Sequence, residues 1–168
     1  MHLGLTGSHG PDAAAPASKD SRALPESFHD GCVMALHIRD FRQSDAAGLS
    51  RLSETGHLLG ALPARDAGVH TLAGLRDDQL AGAIWLSLDG ETGMIPAILV
   101  VHTSSWQSDV RELIAEASLW HASRGAARIA LPIIPQDKDL LSGLLDMQFK
   151  ADDRAGIMQR TMQVRSAA

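Results

Sequence analysis

Residues 94–101, MIPAILVV, carry no charged or hydrogen-bonding side chain. Such a run cannot form a half-solvated strand, because alternate side chains would then face water. It predicts a strand in the middle of a sheet that is covered on both faces. Pro96 has no N–H to give to a ladder, which places it near the strand start or at a bulge. The rest of the chain must therefore supply neighbouring strands and two covering layers.

The flanking sequence has the periodicities for this. VMALHIRDF (33–41) reads as a strand. QSDAAGLSRLSETG (43–56) reads as a helix with Ser44 as N-cap, Asp45 at its positive end, Ala46, Leu49 and Leu52 on one face, and Gly56 as terminator. Residues 57–68 show neither period and fit one short helical turn plus a loop. VHTLAGL (69–75) and QLAGAIWLSL (79–88) read as two strands about the tight turn Asp77-Asp78, with Trp85 in the core. Asp89-Gly90 marks a second hairpin, since both residue types tolerate positive φ. Ser108 and Asp109 open a long helix in which Val110, Leu113, Ile114, Ala117 and Trp120 or His121 recur at helical spacing, until Gly125. RIALPII (128–134) is a strand. PQDKDLLSGLLDMQ (135–148) is a helix burying Leu140, Leu141, Leu144 and Leu145, and FKADD and GIMQRTMQV close the chain as strands. This order predicts a mixed-sheet α/β (α+β) domain over residues 32–168.

Residues 1–31, rich in Gly, Ala, Ser and Pro, cannot bury enough surface to offset their ordering entropy. They are expected to be a flexible N-terminal arm, either a docking arm for a protein partner or a tail without a role. The single cysteine, Cys32, excludes an internal disulfide, and the eight histidines show no ligand spacing, so no metal is expected. A net charge of −5 argues against nucleic acid or an anionic membrane as partner. No apolar stretch is long enough to span a bilayer and no secretory signal is visible, so a cytoplasmic protein is expected. The chain has no tyrosine, which removes any mechanism that needs a phenol.

LHIRDFRQSDAAGLSRL (36–52), ILVVHTSSWQSDVRELIAEASLWHASRGAARIALPI (98–133) and LLSGLLDMQF (140–149) follow one another in an order that resembles the GNAT acyltransferase superfamily over residues 35–164. The resemblance implies a GNAT-like acyl-CoA N-acyltransferase fold, acetyl-CoA as donor and an amine as acceptor. It places the thioester in a splay between the strand ending near Val101 and the strand beginning near Arg128. Val100, Val101 and the loop Trp106, Gln107, Ser108, Asp109, Val110 and Arg111 then occupy the coenzyme-binding position. There the family has the pattern Arg/Gln-x-x-Gly-x-Gly/Ala, whose glycines and free N–H groups let the backbone approach a pyrophosphate.

Here Trp106 holds the basic or amide position, Gln107 the variable position after it, and Asp109 and Arg111 hold positions expected to be glycine. Asp109 brings a carboxylate to the place of the pyrophosphate. Ser108 and Arg111 can still contact an anion, so weakened acetyl-CoA binding is expected. The family's tyrosine in Leu-Tyr-Glu-x-x-Gly-Phe, which protonates the departing thiolate, falls on Leu144 and the glycine on Gln148; Ser142 lies two residues off, on another face. Candidate general bases are Glu91, at the hairpin tip, and His102, at the end of the apolar strand. His121 reads as a packed histidine. Trp106 is either an exposed indole for a protein partner or a ring folded over the donor groove. Three readings stay open: a binding, regulatory or assembly module on this fold, with a protein partner or a second copy of the chain; an active N-acyltransferase; and an unrelated mixed-sheet domain.

Overall fold

The apolar run forms the middle of an eight-stranded mixed sheet, in a computed structural model that describes residues 35–64 and 68–162. The elements are β1 (His37–Asp40), a 3-10 turn (Gln43–Asp45), α1 (Ala46–Thr55), β2 (His57–Gly60), β3 (His70–Arg76), β4 (Gln79–Asp89) and β5 (Thr92–Val100). They are followed by α2 (Trp106–Ser123), β6 (Arg128–Leu131), α3 (Lys138–Asp146), β7 (Lys150–Asp152) and β8 (Ile157–Thr161). Strand order is β1-β3-β4-β5-β6-β8-β7, with β2 also paired to β5; only the β5–β6 pair is parallel.

Both faces of β5 are covered, as its composition demands. On one face Ile95, Ile98 and Val100, with Ile84 and Leu86 of β4, pack against Val110, Leu113, Ile114 and Ala117 of α2 and Leu140 and Leu144 of α3. On the other, Ala97 and Leu99 join Ala83, Trp85 and Leu52 of α1. The β3–β4 turn holds Asp77 and Asp78 at φ of 51° and 59°, the two positive values that a type I′ hairpin needs. In the β4–β5 turn only Gly90 has positive φ (58°).

Local pattern misleads where a distant partner intervenes. Ser44 does not cap α1. The Asp45 carboxylate instead accepts the Arg42 N–H (2.8 Å) and both guanidinium arms of Arg39 on β1 (2.8 and 2.9 Å). Arg39 holds the Asp45 carboxyl below its ordinary range. Residues 57–60 form a strand rather than a helical turn, because β5 supplies their hydrogen bonds. Leu145 is 50% exposed rather than buried, for α3 meets the sheet through Leu140 and Leu144. The arm, 1–31, lies outside the described residues.

Candidate functional site

β5 and β6 pair only through Thr92–Met94 against Arg128–Ala130 and then part. The β6-facing edge of β5 begins at the Glu91 carbonyl, which accepts the Ala127 and Arg128 N–H groups (2.8 and 3.2 Å). The β4–β5 register shifts between Trp85 and Ser87, so Ile95 and Pro96 together oppose Leu86, a bulge of the kind that bends a strand. The result is a splay where the resemblance places a thioester.

The splay is not open along β5. β4 holds one edge of Ala97–Val100, through Trp85↔Ala97 to Gly82↔Val100. β2 pairs with the same four residues, Gly60↔Ala97 to His57↔Val100, and so takes the other edge, the one from which β6 has departed. The Ala61 N–H continues this edge by donating to the Pro96 carbonyl (3.1 Å).

The loop that follows is closed as well. Val100 is fully buried, and the Val101 N–H donates to Ala81 O (2.8 Å). The Trp106 ring lies 4.2 Å from that of His57 and is only 7% exposed, so it is not an exposed indole for a partner. His102 is exposed, its ring 5.9 Å from His57. In the first turn of α2, the Trp106 N–H bonds Thr103 O, and those of Ser108 and Asp109 bond Ser105 O.

Asp109 does not occupy the anion position. Its carboxylate is fully buried and turned toward β3, where Arg76 grips it at 2.7 and 3.5 Å. Val110 is core, and Gln107 and Ser108 are half-buried. Arg111 is an exposed residue whose side chain lies where a Cβ on Gly143 of α3 would sit.

The candidate bases do not converge. Glu91 precedes β5 and His102 follows it, and the nine residues of β5 alone span about 30 Å at a rise of ~3.3 Å each. Both side chains are exposed, so no single atom lies within reach of the two. Leu144 is fully buried with Phe149 and Met158. Gln148 has φ of +68°, the left-handed backbone of the glycine it replaces. His121 is fully buried with Nε2 at 3.1 Å from Ser87 O, over Gly93, where any Cβ would strike the ring; burial pushes its pKa down. Sequence reading missed β2 and His57, whose only local signal is the pair of glycines, Gly56 and Gly60, that bracket them.

No protein-family model matches the chain, and no curated protein matches it in sequence. Solved structures do. The ribosomal-protein-S18-alanine N-acetyltransferase from Escherichia coli superposes with a TM-score of 0.60 at 13% identity, covering 79% of this chain and 99% of that one. PaiA N-acetyltransferase from Thermoplasma acidophilum, in complex with coenzyme A, gives 0.60 at 14% over 77% and 100%. A GNAT family acetyltransferase from Brucella melitensis, in complex with acetyl-CoA, gives 0.54 at 17% over 76% and 88%.

The chain has the GNAT fold. A mixed-sheet domain of a different fold is thereby set aside. On this fold the residues as placed do not fit a coenzyme A molecule: β2 covers the β5 edge, His57 covers Trp106, and three first-turn N–H groups are bonded within their own turn. Among the described residues, no group of three or more His, Cys, Asp or Glu side chains is placed to hold a metal, and no helix is long and apolar enough to cross a membrane.

Proposed function

We propose that this chain is a cytoplasmic GNAT-fold protein with impaired acetyl-CoA chemistry, serving as a binding or regulatory module for a protein partner. The observation that carries this reading is that, among the described residues, the acid position and the two candidate bases named from the sequence do not converge on the splay. The chain has no tyrosine, Leu144 is core, and Glu91 and His102 stand at opposite ends of β5. The arm 1–31 or a second copy of the chain supplies the partner contact. Incubation of the full chain with acetyl-CoA and a range of amines and N-terminal peptides, followed by free-thiol release, tests the loss of chemistry. No release above the uncatalysed rate is expected; acceptor-dependent release overturns it.

One observation favours the second reading, an active N-acyltransferase. Arg76 pairs with Asp109, so the Asp109 carboxylate does not face the mouth of α2. Positioning alone then accelerates attack of an amine on a thioester, provided that the donor can bind.

A further inference from the structure

We infer that β2 is an intrasteric strap: His57–Gly60 occupies the place of an acyl-CoA thioester on the β5 edge, and the donor enters only by displacing it. The inference concerns binding and holds whether or not the chain transfers acyl groups.

A strand edge accepts one partner. Ala97–Val100 already have β4 on their other side, so the edge inside the splay is the only one left, and β2 fills it residue for residue. The pantetheine arm of coenzyme A is itself an extended chain with two amides. Such a chain binds a sheet edge through the same N–H and C=O groups that β2 uses. The two are mutually exclusive.

The strap is fitted at both ends. Gly60 has φ of +83°, and a Cβ there would collide with the Pro96 carbonyl oxygen. A Cβ on Gly56 would lie 2.5 Å from Leu52 O and 2.8 Å from Val100 O. Only bare backbone passes at these points. Between them, His57 lays its ring against Trp106 in the first turn of α2, the part of the fold that the family uses for the pyrophosphate. One short segment thus covers both halves of a donor site.

The attachment is also slight. β2 is four residues long; Leu59 packs on the main core, whereas Leu58 is 44% exposed. Short strands with few buried contacts open at a free energy below that of global unfolding. Donor affinity is then reduced by the fraction of molecules in which the strap is open.

The test uses the full chain with Gly60→Val, which drives a branched side chain into the Pro96 carbonyl and leaves β4 and α2 untouched. Hydrogen exchange over residues 57–61 reports release, and isothermal titration with coenzyme A and with acetyl-CoA reports binding. The expected result is lost protection at 57–61, retained protection in β4, and affinity for both ligands at least tenfold tighter than wild type. Released strap amides with no gain in affinity overturn the inference, as does wild-type protein that binds coenzyme A while 57–61 stay protected. Should Gly60→Val not fold, Leu59→Ser removes the strap's core-facing side chain and is judged by the same two results. Free-thiol release separates this inference from the proposed function. A variant that binds and transfers acetyl groups upholds the strap and refutes the loss of chemistry. One that binds without transfer upholds both, and one that is released but does not bind refutes the strap alone.

Discussion

Replacing Asp109 by Ala separates two opposed views of that residue. On local pattern, Asp109 is a carboxylate in a phosphate's place, and its removal improves coenzyme A binding. In the structure it is fully buried and clasped by Arg76, so its removal costs stability and gives no affinity. Removing one partner of a buried pair costs about 3–5 kcal/mol. The Arg76 side chain is 21% exposed and holds a further contact of its own, which places this case lower, at about 2–3 kcal/mol. For a folded unit of this size that corresponds to a fall in Tm of roughly 6–12 °C. The assay is thermal unfolding of wild type, Asp109→Ala, Arg76→Ala and the double variant, with coenzyme A titration of each. A coupling energy of about 1–3 kcal/mol is expected from the cycle. A Tm change under 2 °C with no coupling refutes the pairing, and a tenfold gain in affinity for Asp109→Ala refutes the inward orientation.

His121 predicts an acid-side loss of stability. Burial lowers its folded pKa below the ordinary value of 6.5, so the unfolded chain takes the proton first. The stabilisation is complete above that value and declines as pH falls through it, by up to about 1.4 kcal/mol per pH unit. Urea midpoints between pH 7.5 and 5.5 should fall more steeply for wild type than for His121→Leu; parallel slopes would count against a buried neutral imidazole. Gln148→Gly relieves a non-glycine residue at φ of +68°. Left-handed backbone costs about 1–2 kcal/mol and glycine's extra unfolded-state entropy returns about 0.5–1, leaving a net gain of roughly 0.5–1 kcal/mol. Tm should rise by about 2–3 °C, and a fall would show that the Gln148 side chain has a role of its own.

The sequence by itself determined the architecture wherever the demand is local. MIPAILVV specifies a strand covered on both faces because no residue in it can meet water, and Asp77-Asp78 specifies its turn because positive φ is tolerable there. The lack of tyrosine and the identity of Leu144 are likewise legible without coordinates. Tertiary structure decided the site. HLLG carries no period of its own; it becomes β2 because the β5–β6 ladder stops after Met94 and leaves unpaired backbone some forty residues downstream. Asp109 turns inward because Arg76, on another element, outcompetes the helix terminus for its charge. Glu91 and His102 look like alternatives in the sequence, yet the extended strand between them sets them at opposite ends of the sheet. Residue type states what each segment can satisfy, whereas long-range pairing selects which unsatisfied edge or charge it meets.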